Sequence, residues 1–316
     1  MRVLVTGGAG YIGSVVTAAL LDGGHEVTVL DDLSTGHEDA VPAGATLVRA
    51  SLHDSAPVVA EVRPEAVLHF AAKSLVGESQ VAPELYWHNN VGGSLALLEA
   101  MRAADCRRIV FSSTAATYGE PEEVPILETA PTRPTNTYGA SKLAVDAMLT
   151  SYATAHDFAA VSLRYFNVGG AAYGRGERHA TETHLIPIAL QVAADTREAL
   201  TVYGGDYPTP DGTCIRDYVH VQDLAAAHLL ALPAPAAGEH RIYNLGSGTG
   251  FSVQEMVDAV RKVTGHPLPV VVGDRRAGDP ARLVASSARI HADLGWSPEH
   301  DLTGIVTDAW EFARSR

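Results

Sequence analysis

The start of the chain constrains the fold most strongly, because an apolar strand, a glycine-rich turn and an amphipathic helix follow one another there. Arg2–Thr6 has the composition of a buried strand, and the apolar residues of Ile12–Leu21 recur at helical spacing. Between them, Gly7, Gly10 and Gly13 form a Gly-x-x-Gly-x-x-Gly loop. Such glycines let the backbone approach a pyrophosphate, whose negative charge is favoured by the free amides and dipole of a helix start. The segment therefore predicts a dinucleotide-binding unit.

A carboxylate after the next strand indicates which dinucleotide this unit would hold. Glu26–Leu30 is the second apolar strand candidate, and Asp31 follows it directly. At this position a carboxylate can accept hydrogen bonds from an adenosine ribose and repel a 2′-phosphate. Asp31 therefore favours NAD over NADP.

Further apolar segments alternate with helical stretches as far as Asn167. Because such alternation is typical of βαβ units, we expect an α/β fold. Its centre would be a Rossmann-like, doubly wound parallel sheet, accompanied by a smaller C-terminal α/β substrate lobe. The remaining strand candidates are Thr46–Arg49, Ala66–Phe70, Arg108–Ser112 and Ala160–Tyr165.

The second lobe is expected to begin near Gly169, where glycine and proline become frequent and the alternation fades. Two later segments, Asp217–Asp223 and Arg241–Gly246, again have strand character, which suggests that the lobes exchange chain more than once. The expected domains are a NAD-binding domain of residues 1–168 with about 217–246, and a substrate-binding lobe of residues 169–216 and 247–316.

Charge and cysteine content exclude several classes of function. The 316 residues carry a formal net charge of −14 without a basic run, which argues against nucleic acid or an anionic membrane as main partner. Cys106 and Cys214 are far apart and outside any metal-ligand spacing, so neither a disulfide nor a metal site is predicted. The longest apolar stretch, Leu224–Pro235, is too short to span a bilayer, and no leader precedes the first strand. We expect a cytoplasmic protein.

Tyr138 and Lys142 lie four residues apart, which puts a phenol and an ammonium on one face of a helix. A tyrosinate acting near neutrality needs its pKa lowered by about 3 units, or roughly 4 kcal/mol. A single nearby cation shifts a pKa by about 1–3 units, so a second positive charge is wanted, and an oxidised nicotinamide would provide it. Taken alone, the pair would be an ordinary exposed helix pair, but the glycine loop favours a catalytic base.

These motifs belong to a longer pattern that runs through nearly the whole chain. Its carriers are Val5–Gly13, His69–Ala72, Val76–Ser79, Asn89–Val91, Phe111–Gly119, Tyr138 with Lys142, Arg164–Asn167 and Gly205–His220. In this pattern the chain resembles the extended short-chain dehydrogenase/reductase family and, within it, the UDP-glucose 4-epimerases. The second lobe is then expected to bind a UDP-sugar.

The resemblance implies NAD-dependent C4 epimerisation of UDP-glucose and UDP-galactose. Tyr138 would take the proton from the O4 hydroxyl as hydride leaves C4 for NAD, giving NADH and a 4-keto sugar that turns over and takes the hydride back. Lys142 would hold the nicotinamide ribose, and the Thr114 hydroxyl would bridge O4 and the phenol. Thr114 could instead be a strand-end threonine that bonds locally to the backbone.

Alternatives in the same fold are a nucleotide-sugar dehydratase and a decarboxylase. Elimination of water needs a further acid and base, which those families place directly after the hydroxyl residue. Ala115 and Ala116 follow Thr114 here, so epimerisation is favoured. A non-catalytic NAD-sensing protein is a third alternative, against which the intact Thr114, Tyr138 and Lys142 argue.

The resemblance also implies two sets of contact residues and a homodimer. The cofactor set is Gly7, Gly10, Tyr11, Ile12, Gly13, Asp31, Ser51, Leu52, Phe70, Ala71, Ala72, Lys73, Asn89, Tyr138, Lys142 and Tyr165. The substrate set, for UDP-glucose and UDP-galactose, is Thr114, Asn167, His184, Leu185, Tyr203, Arg216, Arg276, Asp279 and Leu283.

Some of these positions depart from the family pattern. Ser51 replaces a carboxylate near the adenine, and Lys73 lies one place before the lysine of some relatives, so its contact is either shifted or absent. His184 stands where relatives carry asparagine, and a packing or surface role is its alternative. Leu283 aligns with a wall of the sugar pocket that is sometimes tyrosine. A leucine there predicts additional, slower turnover of UDP-N-acetylglucosamine, unless Leu283 is simply core packing.

Overall fold

The computed structural model describes residues 1–276 and 279–316. Its helices are α1 (Tyr11–Asp22), α2 (Ser55–Val62), α3 (Val76–Val81), α4 (Pro83–Tyr86), α5 (Gly93–Ala103), α6 (Thr137–His156), α7 (Leu185–Ala193), α8 (Val221–Ala231), α9 (Val253–Thr264), α10 (Ala288–Leu294) and α11 (Leu302–Arg314). Among the helices of these residues, none combines the length and apolar character that crossing a membrane requires.

The strands include the six that the sequence predicts in the first half of the chain. They are β1 (Arg2–Thr6), β2 (Glu26–Asp31), β3 (Thr46–Arg49), β4 (Ala66–His69), β5 (Arg108–Thr114), β6 (Ala159–Tyr165), β7 (Asn167–Gly169), β8 (Ala171–Ala172), β9 (Arg175–Gly176), β10 (Leu200–Tyr203), β11 (Ile215–Arg216), β12 (Tyr218–His220), β13 (His240–Leu245), β14 (Phe251–Ser252), β15 (Val270–Gly273) and β16 (Arg282–Leu283).

A seven-stranded sheet in the order β13-β6-β5-β4-β1-β2-β3 forms the centre of the fold. The neighbouring pairs from β6 to β3 are parallel, and Thr6 at the end of β1 aligns with Leu30 on β2 and His69 on β4. The first six strands thus follow the Rossmann order 3-2-1-4-5-6, whose ligands bind at the carboxyl ends of the strands near the β1/β4 reversal. The predicted Rossmann-like α/β class is confirmed.

Apolar side chains explain why these segments become central strands. Val3, Leu4 and Val5 are each fully buried, as expected for a parallel strand covered by helices on both faces. The core on one side of the sheet includes Leu97 of α5 and Leu149 of α6. Because α6 is packed there, its first turns are held at the carboxyl ends of β5 and β6.

Two glycines of the first loop are required by close backbone contacts. Gly7 has φ +74°, and a Cβ there would lie 2.5 Å from the amide nitrogen of Ala71. A Cβ on Gly13 would lie 2.2 Å from the carbonyl oxygen of Gly7. The loop after β1 therefore packs directly against the segment after β4 and against the start of α1.

The chain divides into two compact units. Unit 1 comprises Met1–Gly119, Pro131–Tyr165 and Ala225–Tyr243, and unit 2 comprises Glu120–Ala130, Phe166–Leu224 and Asn244–Arg316. These bounds differ from the expected ones at 120–130, 166–168, 217–224 and 244–246, all of which lie in unit 2. Residues 217–224 belong there because β12 pairs with β7. The strand expected over Asp217–Asp223 ends at His220, where α8 takes over.

Unit 2 is built from small sheets and from α7, α9 and α11. Its core includes Ile186, Leu190, Met256, Val260 and Ile305. In one of its sheets, β11 pairs antiparallel with β14 and parallel with β16, so that Arg216 aligns with Leu283. Two predicted substrate residues are thereby fixed side by side in the backbone of this unit.

Candidate active site

The candidate catalytic residues meet where β5 ends and α6 begins. Thr114 is the last residue of β5, and Tyr138 is the second residue of α6. The side chain of Asn136 caps α6 by accepting the amide of Gly139 at 2.8 Å. A Cβ on Gly139 would lie 2.4 Å from the carbonyl oxygen of Ala116, so the helix start and the strand end are in close contact.

The hydroxyl of Thr114 has both of the neighbours considered for it. It lies near enough to the Tyr138 phenol to lower the pKa of that group. It also accepts the backbone amide of Ala116 at 3.2 Å, which is the local strand-end bond. Because one oxygen can donate to the phenol while accepting the amide, the two roles are compatible.

Tyr138 and Lys142 are not an exposed helix pair. Lys142 is 2% exposed, and its Nζ donates to the carbonyl oxygen of Ser112 at 2.7 Å and lies 4.8 Å from the Phe111 ring centroid. Burial lowers the pKa of Lys142 to about 7, although Asp146 opposes the shift. The amino group of Lys142 is thus buried and hydrogen-bonded within the protein rather than exposed to water.

The phenol is neutral in the cofactor-free chain. Burial raises the pKa of Tyr138, and the hydrogen bond from Thr114 only partly offsets that effect. Lys142 alone therefore does not produce a tyrosinate here. A further positive charge is needed, as expected from the size of the required shift.

The acidic residue at the end of β2 is hydrogen-bonded to the glycine loop. The two carboxylate oxygens of Asp31 accept the amides of Ala9 at 3.0 Å and Leu33 at 2.9 Å. Burial raises the pKa of Asp31, and these two amides oppose the shift. The carboxylate is thus fixed beside the start of α1.

The segment after β4 is anchored by Asn90, which sequence reasoning missed. Asn90 is 2% exposed; its Oδ1 accepts the amide of Lys73 at 2.8 Å, and its Nδ2 donates to the carbonyl oxygen of Lys73 at 3.0 Å and to Ser141 at 3.1 Å. It also accepts the side chain of the predicted residue Asn89 at 3.0 Å. The carboxamide therefore ties the Lys73 backbone to α6, next to Lys142.

A second residue missed by sequence reasoning joins Phe70 and Tyr165. His228 on α8 is fully buried, its Nε2 lies 2.6 Å from the Tyr165 phenol, and its ring lies 4.8 Å from the Phe70 ring. The amides of Phe70 and Ala71 both donate to the carbonyl oxygen of Thr6. These contacts bring the ends of β1, β4 and β6 together.

The other predicted cofactor residues lie around the same strand ends. Tyr11 and Ile12 open α1, Ala72 follows Ala71 after β4, and Leu52 is buried. Ser51, after β3, donates its hydroxyl to Asp54 at 2.7 Å. Its oxygen can still accept a hydrogen bond from an adenine amine.

The candidate substrate residues of unit 2 form pairs. Arg216 is ion-paired with Asp279 and 12% exposed at its side chain. The Arg276 guanidinium lies 4.0 Å above the Tyr203 ring centroid. The neighbouring Arg275 instead pairs with Asp206 at 2.6 Å, in an exposed salt bridge. Two arginines are thus placed beside an aromatic ring and a carboxylate.

The remaining substrate candidates lie on β7, before α7 and on β16. Asn167 donates from its side chain to the carbonyl oxygen of Asp217 at 3.0 Å, and Leu283 is half-buried. His184 precedes Leu185, the first residue of α7. Burial favours a neutral His184 ring, but the adjacent carboxylates outweigh it and raise the pKa of His184 to about 10.

Comparisons with known proteins agree with this architecture. The NAD dependent epimerase/dehydratase family matches residues 3–246. The chain is 59% identical over 318 residues to the UDP-glucose 4-epimerase of Streptomyces lividans, covering 99% of this chain and 96% of that one. It is 58% identical over 314 residues to the UDP-glucose 4-epimerase of Corynebacterium glutamicum, covering 99% and 95%.

A solved structure gives the same result. The UDP-glucose 4-epimerase from Bifidobacterium longum, in complex with NAD⁺ and UDP, is similar with a TM-score of 0.94 at 35% identity, covering 100% of this chain and 99% of that one. Sequence and fold thus agree over the full length. The chain belongs to the NAD dependent epimerase/dehydratase family, as its motifs predict.

Proposed function

We propose that the chain interconverts UDP-glucose and UDP-galactose by inverting the sugar at C4, with NAD as a hydride carrier that is regenerated in each turnover. The observation that carries the proposal is the burial of Lys142 one turn of α6 after Tyr138, with the Thr114 hydroxyl near enough to the phenol to lower its pKa. The predicted isomerase class and NAD cofactor also agree with identities of 58% and 59% to curated UDP-glucose 4-epimerases.

The residues around β1 and β2 fit NAD. The loop is too tight for a Cβ at Gly7 or Gly13, which keeps its backbone close to the start of α1, where a pyrophosphate would bind. Asp31 is held at the end of β2, where it would bind the adenosine ribose and repel a 2′-phosphate. The remaining cofactor candidates would line the strand ends around it. Bound NAD would accept a hydride from C4 and return it.

The proton steps fall to three side chains of unit 1. Tyr138 would take the O4 proton as the alcohol is oxidised and return it on reduction. Thr114 would relay that proton between O4 and the phenol. The buried Lys142 would bind the nicotinamide ribose and hold positive charge near the phenol, which favours the tyrosinate once the cofactor is present.

The UDP-sugar would be held by residues of unit 2. Arg216 and Arg276 carry planar guanidinium groups that suit two phosphate oxygens, and binding of a diphosphate would compete with the Arg216–Asp279 pair. Tyr203 would lie beside uracil and Asp279 beside the ribose. Asn167, His184 and Leu185 would complete the contacts to the diphosphate and sugar.

Leu283 would set the size of the sugar that can turn over. Its side chain is half-buried rather than part of the unit 2 core, which favours a wall of the sugar pocket over core packing. A leucine leaves room where a tyrosine ring would meet a C2 acetamido group. UDP-N-acetylglucosamine is therefore a secondary substrate in this proposal.

Dehydratase and decarboxylase activities are less compatible with the end of β5. Ala115 and Ala116 open a short 3₁₀ turn and offer no group that could transfer a proton. The presence of Thr114, Tyr138 and Lys142 together also argues against a purely NAD-sensing role. Epimerisation is the reaction that these side chains support best.

A homodimer would use the exposed apolar surface of α3 to α5. Val81 is 84% exposed, Leu85 39% and Leu95 45%, and Trp87 between α4 and α5 is 45% exposed. Such a patch is typical of an interaction surface. Light scattering should give the mass of two chains for wild type, and the mass of one chain for Leu95→Arg.

Action in the reducing cytoplasm is also part of the proposal. It is supported by the buried free thiols Cys106 and Cys214.

A panel of UDP-sugars tests the proposed function. Purified protein is incubated with each sugar without added NAD, and the C4 epimers are separated. We expect UDP-galactose from UDP-glucose, slower turnover of the N-acetyl pair, and selective loss of the latter in Leu283→Tyr. Absence of any epimer from a protein that releases NAD on denaturation would overturn the proposal.

A further inference from the structure

A group of four metal-ligand side chains lies just before α7, apart from the proton-transfer residues. Glu177, His179, Glu182 and His184, called here the Glu-His cluster, come from one short segment between β9 and α7. Each offers one ligand atom, and these atoms all lie within 4.8 Å of one another. The cysteine spacing could not have indicated such a site, because all of its ligands are histidine and glutamate.

The separations between these atoms are close to those around one small cation. His184 Nδ1 lies 2.8 Å from Glu177 Oε1 and 2.9 Å from Glu182 Oε1. His179 Nδ1 lies 2.9 Å from Glu177 Oε1 and 3.9 Å from Glu182 Oε2. A tetrahedral ion with metal–ligand distances of about 2.0–2.2 Å places its ligand atoms roughly 3.3–3.6 Å apart. Small side-chain shifts would therefore suffice.

One nitrogen of the Glu-His cluster lacks a normal partner. Among the described residues, His179 Nδ1 is inaccessible to solvent and meets no partner in hydrogen-bond geometry, despite the short distance to Glu177. Buried polar atoms are usually satisfied, so an exception calls for a ligand or an explanation. A metal ion between the two imidazoles would use this lone pair.

Charge favours the same reading. The side chains of Glu177 and Glu182 are only 10% and 7% exposed, so two carboxylates are held close together away from water. A divalent ion bound to both imidazoles would take the place of a proton on His184 and would balance the charge of −2 on the two carboxylates. Buried charges are normally paired or coordinate metals.

The segment is also supported at its ends and within itself. Gly176 packs so closely on Phe312 that a Cβ would lie 2.4 Å from that ring, while Ile186 of α7 is in the core. Glu182 Oε1 accepts the backbone amides of Thr183 and His184, both at 2.8 Å, which orients this carboxylate. Such fixed secondary contacts are typical of metal ligands.

We propose that the Glu-His cluster is a four-coordinate structural site for a divalent transition-metal ion, of which Zn²⁺ fits the two nitrogen and two oxygen ligands best. It orders the segment that leads into α7. His184 would bind the metal through Nδ1, which leaves its Nε2 for the contact to the substrate that is proposed above. The inference does not rest on the proposed function.

Zinc binding to the chelator-treated full chain tests this proposal. Zn²⁺ is titrated against a chromogenic competitor, and Co²⁺ absorption reports the coordination number. We compare wild type with His179→Ala and Glu182→Gln. The glutamine keeps a side-chain oxygen that can accept the backbone amides of Thr183 and His184. His291→Ala, an exposed histidine on α10, is the matched control.

We expect one ion per chain, the visible d–d bands of four-coordinate cobalt, and an affinity lowered by more than about 100-fold in both cluster variants, beyond the usual effect of losing an outer-shell partner. The control should bind like wild type. No binding by wild type, or equal affinity in wild type and Glu182→Gln, would mean that the cluster is only a network of ion pairs.

Discussion

Substitutions at two glycines of the first loop should have different effects, because one glycine is needed for close packing within the protein and the other for close approach of the cofactor. We compare Gly13→Ala with Gly10→Ala, which add the same methyl group three residues apart. At Gly13 the new Cβ would lie 2.2 Å from the carbonyl oxygen of Gly7 and 2.9 Å from its carbonyl carbon. At Gly10 it would lie 3.3 Å from that oxygen, and the backbone there, with φ −80°, suits alanine.

The two variants should differ in the stability of the NAD-free protein. Backbone atoms cannot rotate away, so Gly13→Ala must push α1 away from the loop. Such overpacking typically lowers the free energy of unfolding by about 1–3 kcal/mol. The higher helix propensity of alanine offsets up to about 1 kcal/mol of this loss. A net loss of roughly 1–2 kcal/mol should lower the melting temperature by roughly 2–8 °C. Gly10→Ala should cost less than about 1 kcal/mol, mainly through its weaker capping.

NAD binding should respond differently. The Cβ of Gly10→Ala would point to the helix start, where a pyrophosphate must approach the amides, so NAD affinity should fall by about tenfold or more, equal to 1.4 kcal/mol. Differential scanning fluorimetry of NAD-free protein and calorimetric titration with NAD measure the two effects. The reasoning is refuted if Gly13→Ala melts like wild type, or if Gly10→Ala is destabilised as much as Gly13→Ala.

Three further outcomes test individual side chains. Tyr138→Phe should keep NAD binding but lower kcat by about 10²–10⁴-fold, with a smaller loss for Thr114→Val; near-normal kcat would remove Tyr138 from the proton steps. Arg216→Ala should weaken UDP binding by about 1.5–3 kcal/mol in calorimetry, whereas unchanged affinity would return Arg216 to its ion pair with Asp279. Burial lowers the pKa of Lys142 to about 7, against about 10.4 when unfolded, so NAD-free wild type should lose stability relative to Lys142→Met as the pH falls from about 9 to about 7. The relative loss should be on the order of 2 kcal/mol in denaturant unfolding, and a pH-independent difference would contradict the burial argument.

The parts of the fold that were predictable are those whose signals are local. β1, the glycine loop and α1 lie within one continuous segment, and Asp31 is the last residue of the next strand. The Tyr138 and Lys142 spacing places both on α6 without any knowledge of tertiary contacts. Such patterns depend only on strand and helix periodicity and on loop chemistry.

The parts that were missed depend on contacts between distant segments. Asn90 binds the Lys73 backbone and Ser141, and His228 reaches Tyr165 from α8, so neither role is visible in its own segment. The sequence pattern of Asp217–Asp223 is that of a continuous strand. In the structure only β12, which pairs with β7, is a strand, and α8 begins at Val221. Tertiary pairing overrides local propensity there.

Isotope transfer tests the central claim most directly. UDP-glucose deuterated at C4 is incubated with the purified protein in ordinary water without added NAD, and the UDP-galactose formed is analysed by mass spectrometry and NMR. If the hydride leaves C4 and returns within one bound complex, the product keeps its deuterium at C4 and the water gains none. Loss of deuterium to the solvent would show that C4 is inverted by proton exchange, and would contradict the account.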